Sequence, residues 1–170
     1  MKMQSTTRGG FNVKINVRRG CFETNSSSMH SVCIGKGDLN DLVEKVDFYT
    51  GEYGWEHEVL TTTKEKASYL FQQFLYFHDD SSVNAKFEKL KELLDSCDIK
   101  YDFHYDVGGY IDHDSASMEF IDAIIADADS LLQYLFGDSI VVLGNDNDDW
   151  HQEYMADLDK SKYAQIMESY

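Results

Sequence analysis

The chain predicts an α+β fold (mixed α/β) in a single domain, a small β-sheet of about four strands packed with four to five helices. Three observations carry this expectation. Segments of period-two alternation interleave along the chain with segments of helical spacing. Hydrophobic residues make up 42% and aromatic residues 14% of 170 residues, enough for a sizeable core. No internal repeat or linker divides the chain, so residues 11–170 read as one domain behind a flexible N-terminal segment, residues 1–10, hinged at Gly9-Gly10.

The elements follow in order. Phe11, Val13, Ile15 and Val17 alternate with polar residues, which predicts a half-buried strand over 11–17. A polar connection leads to a second strand over 31–34, ended by Gly35-Lys36-Gly37. Asp38 is placed to cap a helix through Val46, with Leu39, Leu42, Val43 and Val46 on one face. Residues 48–55 are aromatic and interrupted by glycine, a strand with a loop. Thr62 and Glu65 have capping-box spacing ahead of a helix whose apolar face carries Ala67, Leu70, Phe71 and Phe74. A further helix is predicted over 83–97, a strand over 99–105, and one long helix over 117–136 capped by Ser117. The unalternating run Ile140, Val141, Val142, Leu143 predicts a buried central strand, and the chain closes with a helix from about Ser161.

Charge is the strongest compositional signal, with 31 acidic residues against 15 basic ones and a net charge of -16. Residues 1–36 hold six Lys/Arg and one acid; the remainder carries nine basic and 30 acidic residues. Between Asp98 and Asp159 sixteen acidic residues face Lys100 alone. Such a body repels nucleic acid and attracts basic surfaces, including the grooves where nucleic-acid enzymes hold their substrates. RNA contact is left to the basic N-terminal segment. No apolar run approaches the roughly 20 residues of a membrane span. The N-terminus also lacks the apolar stretch of a signal peptide, and the expectation is a cytoplasmic protein with no membrane contact. Cys21, Cys33 and Cys97 have no CxxC spacing and read as reduced thiols, two or more of them buried. Cys21 and Cys33 flank the polar connection, which allows an incidental disulfide under oxidation.

The polar connection, residues 18–31, is the first candidate site. Glu23 and His30 have the chemistry of a general acid/base pair, and Arg18 and Arg19 that of anion binders. Asn25, Ser26, Ser27 and Ser28 would position a substrate or stabilise developing charge. A serine nucleophile would take His30 as its base, but no GxSxG elbow surrounds it. A hydrogen-bonded serine turn accounts for the same residues equally well. The second candidate is His113, between Asp112 and Asp114 in the segment 110–114, which would complete a site with His30 if the fold joins them. Residues 145–149 offer oxygen ligands for a hard cation but lack the glycine and distal glutamate of an EF-hand loop. They read as an acidic turn. No zinc spacing or phosphate-binding glycine loop is present, and no metal or cofactor is expected.

Residues 19–31 read Arg-Gly-Cys-Phe-Glu-Thr-Asn-Ser-Ser-Ser-Met-His-Ser. This run resembles an N-terminal signature of small proteins from phages and mobile elements of Gram-positive bacteria. There a strand leads into Arg-Gly-x-Phe-Glu-Thr-Asn-Ser-Ser-Ser-x-His-Ser. One branch of that group is similar to anti-CRISPR proteins that block the RNA-guided nuclease Cas9, in part by causing the guide RNA to be shortened. The likeness covers under a fifth of the chain. It implies an anti-defence protein of the host bacterial cytoplasm whose partner is a Cas9-type nuclease or its guide-RNA complex. It also implies Glu23, Asn25, Ser26, Ser27 and His30 as functional positions.

Two mechanisms follow: docking of the acidic body on a basic channel, and metal-independent, ribonuclease-like phosphodiester cleavage at the polar loop. In the second, His30 is the acid/base, Glu23 its partner and Arg19 the stabiliser of the phosphorane. A small-molecule hydrolase or transferase using the same loop, and a non-catalytic interaction protein, are the alternatives.

Overall fold

A computed structural model describes residues 27–40, 42–106 and 108–169. The strand expected over 11–17 and the candidates Arg18, Arg19, Glu23, Asn25 and Ser26 lie outside the described residues, as does Cys21. The α+β expectation holds: among the described residues five α-helices surround a four-stranded antiparallel sheet and two short parallel pairs.

The main sheet is built from β1 (Ser28–Gly35), β4 (Glu58–Leu60), β7 (Ile140–Asn145) and β8 (Tyr163–Ser169), in the order β4-β7-β1-β8. β1 runs antiparallel to β7 with Val32 opposite Val141, and antiparallel to β8 with Cys33 opposite Ile166. Both central strands are buried along their whole length. The reason is that both faces of the sheet are covered. Val32, Ile34, Val141 and Leu143 join the main core on one face, while Cys33, Ile140 and Val142 pack with Met155 on the other. That second face is covered by α5 (Trp150–Asp157). Hence residues 140–143 lack alternation although every pairing is antiparallel.

β2 (Lys45–Tyr49) pairs in parallel with β5 (Lys100–His104), and β3 (Glu52–Tyr53) with β6 (Tyr110–Ile111). A hydrogen bond from Thr50 N–H to the His104 carbonyl and one from Tyr110 N–H to the Gly51 carbonyl carry the pairing across the gap. The two pairs are thus one interrupted parallel ribbon. Its crossover runs through α1 (Thr63–Tyr76) and α2 (Ser81–Ser96). α1 starts with the expected capping box, the Thr62 side chain accepting from Glu65 N–H and the Glu65 carboxylate accepting from Thr62 N–H. Its apolar residues Ala67, Leu70, Phe71 and Phe74 face the core.

Three expected elements take another form. Residues 38–40 and 42–44 form no helix; Val46 and Phe48 are the buried positions of β2, whose parallel partner lies more than fifty residues on. Local spacing cannot show such a partner. The long helix over 117–136 is broken into α3 (Met118–Ile124), capped by Ser117 as expected, and α4 (Ala128–Phe136). At the break Asp127 is extended and its carboxylate accepts from Ser130 N–H at 2.8 Å, so it caps a new helix. The C-terminal segment is strand β8 rather than helix, because β1 offers it an open edge.

Buried polar side chains are anchored as the core requires. Lys66, 1% exposed, donates to the Gly137 and Ser139 carbonyls at 3.1 and 3.0 Å; burial pulls its pKa down to about 8. Cys33 is a free buried thiol, pushed up to about 12 by burial, and Cys97 is free and half-buried. Gly144 is needed for packing: a Cβ there would come 2.7 Å from Cβ of His151 on α5. Gly144→Ala is expected to cost about 2 kcal/mol through overpacking, read as a lower urea midpoint. An unchanged midpoint would mean that α5 is not held tightly against β7.

Candidate functional site

The last four residues of the polar connection singled out in the sequence, Ser28 to Ser31, form the start of β1, three residues ahead of the strand's expected start. Ser27 N–H donates to Asp146 Oδ1 at 2.8 Å, and Asp146 N–H returns a bond to the Ser27 carbonyl at 3.1 Å. Ser28 is buried, its hydroxyl 2.5 Å from that of Ser115 and its N–H donating to Asp112 Oδ2 at 3.3 Å. The two candidate segments therefore meet at one end of the sheet, although Ser28 and Asp112 are 84 residues apart.

Asp112 is the hub of this end. It is 5% exposed, and four groups converge on its carboxylate. Ser28 N–H and Trp55 Nε1–H donate to Oδ2, both at 3.3 Å; the Tyr110 hydroxyl donates to Oδ1 at 3.1 Å, and His113 Nδ1 lies at the same distance from Oδ1. Burial by itself would push the carboxyl up, but the hydrogen bonds from Ser28, Tyr110 and Trp55 outweigh it and hold the group below its ordinary value. Asp112 is ionised at neutral pH, with its lone pairs filled by its own chain. It positions what surrounds it. Its neighbour His113 is 72% exposed at the side chain, with Nε2 3.0 Å from Asp114 Oδ1.

His30 lies two residues into the sheet and faces the interior. It is 1% exposed, with Nδ1 2.9 Å from the Tyr69 hydroxyl and Nε2 3.0 Å from the Gly54 carbonyl. A carbonyl can only accept, so Nε2 carries the hydrogen and Nδ1 accepts from Tyr69. Burial pulls the pKa of the ring down to about 4, against smaller opposing pulls from Gly54, Asp112 and Glu56. The imidazole is neutral at pH 7 with both nitrogens engaged. Proton transfer to a ligand would require breaking one of these bonds.

Around the hub, Asn145 Nδ2 donates to the Trp55 carbonyl at 2.9 Å and lies 3.0 Å from His57 Nε2. His57 stacks on Trp150 with ring centroids 4.9 Å apart and reaches Asp148 at 3.2 Å. α1 supplies tethers: Gln72 accepts from Gly51 N–H, while Gln73 donates to the Ser115 carbonyl and accepts from Ser117 N–H.

Oxygens of the acidic turn accept from the chain's own backbone, two of them locally and one from the entry to β1. Asn145 Oδ1 accepts from Asn147 N–H, Asp146 Oδ1 from Ser27 N–H and Asp148 Oδ1 from Trp150 N–H. Two other groups bring carboxylate and imidazole atoms within 4.8 Å of one another: Asp112, His113 and Asp114, and Asp47, Asp102 and His104. In the second, the Lys45 ammonium already bridges Asp47 and Asp102 at 2.9 and 2.7 Å. In the first, Asp112 has no lone pair to spare.

Of the site residues expected from sequence, the structure brings Ser27, Ser28 and His113 to this end of the sheet; His30 turns inward to Tyr69 and Gly54, and among the described residues no hydrogen bond or ion pair joins it to His113. The structure adds Trp55, Tyr69, Tyr110, Asp112, Ser115 and Asn145. Tyr69 gave no local signal, since it sits in an ordinary amphipathic helix, and Asn145 was visible as part of the acidic turn but not as the partner of Trp55 and His57. Trp55 and Asp112 were visible as residue types but not as partners. Compared with known proteins, the chain matches no family model, no curated protein and no solved structure.

Proposed function

We propose that the protein is an anti-defence protein that docks its acidic body on the basic nucleic-acid channel of a Cas9-type nuclease and so competes with RNA or DNA. The observation that carries this reading is the placement of the carboxylates. Of the sixteen acidic residues between Asp98 and Asp159, all are exposed except Asp112 and Asp114. Asp102 and Asp122 pair with Lys45 and Lys86, but among the described residues the others form no ion pair with Lys or Arg and together raise a negative field. The likeness of residues 19–31 to the phage signature supplies the partner class. Among the described residues no helix is long and apolar enough to cross a membrane, which agrees with a partner met away from lipid.

The test is incubation with Cas9, labelled guide RNA and target DNA, with both nucleic acids run on gels. Inhibition with intact RNA is expected. It should weaken about ten-fold or more between roughly 0.05 and roughly 0.5 M salt, since exposed charges are screened. Inhibition indifferent to salt would defeat the docking mechanism.

A second reading, guide-RNA shortening at the polar loop, is favoured by one observation, the junction of Ser28 with the Asp112–His113 segment. Shortened RNA that disappears in Glu23→Ala or His113→Ala would place chemistry there.

A further inference from the structure

We propose that Trp55 and Tyr110 form a preset aromatic platform that takes an arginine guanidinium from a basic protein surface. The two rings are 51% and 53% exposed in a chain that buries most of its large apolar side chains. Exposure alone would mean little. What sets this pair apart is how it is held. Trp55 Nε1 and the Tyr110 hydroxyl donate to the two oxygens of one buried carboxylate, Asp112. A single ionised hub thus pins the polar edge of both rings and leaves their apolar surface to solvent.

The backbone is pinned as well. Asp112 N–H donates to the Tyr53 carbonyl, Tyr110 N–H to the Gly51 carbonyl, and Asn145 to the Trp55 carbonyl. The Tyr110 ring lies alongside Gly54, where an added Cβ would be 3.8 Å from it. Rings fixed before binding lose little freedom on binding.

The surrounding charge selects the ligand. Residues 51–60, 108–119 and 144–159, which build this end of the molecule, contain no Lys or Arg. They do contain Glu56, Asp114, Asp146 and Asp148, with imidazoles at His57 and His113. A nucleobase would stack on the same rings, but its phosphates would enter a negative field. An ammonium is compact and strongly hydrated and gains less from a flat surface. A guanidinium is planar, weakly hydrated and always positive, and it stacks on aromatic faces. Aromatic faces within a field of carboxylates match that group. The chemistry of the ligand stands without the docking mechanism; its delivery by a basic protein groove rests on that mechanism.

The experiment is titration of the full chain at low salt, followed by the Trp55 indole N–H resonance, assigned by its loss in Trp55→Ala. The probes are N-acetyl-arginine amide, N-acetyl-lysine amide and AMP. Arginine amide is expected to move the resonance saturably in the millimolar range, with an effect about five-fold or more above that of lysine amide. Tyr110→Ala is expected to weaken it about ten-fold, in line with loss of one ring. An equal response to lysine, a tighter response to AMP, or no saturable response overturns the assignment. A response seen only in an Arg18→Ala, Arg19→Ala chain would hand the platform to the chain's own arginines and overturn the partner.

Nuclease binding by Trp55→Ala separates the two proposals. If the parent chain binds the nuclease and Trp55→Ala binds as well, the platform's partner is wrong and docking stands. If the parent chain does not bind, docking falls, while the arginine titration still decides the platform.

Discussion

Asp112→Ala is expected to destabilise the chain by about 3 kcal/mol or more, because it strands several buried or half-buried donors at once. Ser28 N–H, Trp55 Nε1–H and the Tyr110 hydroxyl all converge on this carboxylate, and among the described residues no other side-chain acceptor is bonded to them. For a domain of this size that corresponds to a melting point lower by roughly 6–12 °C. Asp112→Asn keeps the shape and one acceptor oxygen but turns an NH₂ toward two of the donors, so it should fall between the parent chain and the alanine variant. The sign with pH is also defined. The folded carboxyl lies below its ordinary value of 3.8, so its contribution is present above that pH and is lost as pH falls through the folded value. Acid unfolding of the parent chain should therefore include a component, absent from Asp112→Ala, that appears only below about pH 4. Equal stability of parent and alanine variant at neutral pH would show that Asp112 does not organise this end of the sheet.

His30 should make the protein lose stability over a different and higher window. Its ring is neutral in the fold, with a pKa pulled from 6.5 to about 4 by burial. The unfolded chain takes up a proton there below about pH 6.5, and the folded chain does not until about pH 4. Stability is therefore full above the unfolded value and drains away as the pH falls. The loss from this one residue is about 2 kcal/mol between pH 7 and pH 5, and about 3 kcal/mol once the pH is below the folded value. Urea unfolding at pH 7 and pH 5 measures it. His30→Gln, which keeps an N–H at the Nε2 position and removes the titrating ring, should flatten the difference while lowering stability at pH 7. Parallel losses in parent and variant would mean that the ring is not held neutral. A protonated, solvent-accessible His30 would also return it to the front as an acid for the polar loop.

These two residues show how unevenly the site could be read from sequence. His30 stood out for its setting among Glu23, Asn25 and the serines, yet the strand alternation that places it also turns it inward, against Tyr69. His113 stood out for its flanking carboxylates, and it proves the exposed histidine of the pair. Asp112 looked like one more acid in an acidic chain. Its importance comes from three partners at Ser28, Trp55 and Tyr110, two of them more than fifty residues away. No spacing rule records such distances.

By itself the sequence determined what depends on neighbours in the chain. The capping box at Thr62 and Glu65, the cap at Ser117, the inward face of α1, the strands at β1, β5 and β7 and the acidic field all rest on local chemistry or on simple sums of charge. Only the tertiary structure decided the rest. Residues 45–49 and 163–169 are strands because β5 and β1 supply backbone partners, and that hydrogen bonding outweighs the helical spacing of their side chains. The carboxylate of Asp112 stays charged in a buried place for the same reason: the donors that offset its burial arrive from elsewhere in the chain, and only the folded backbone brings them there.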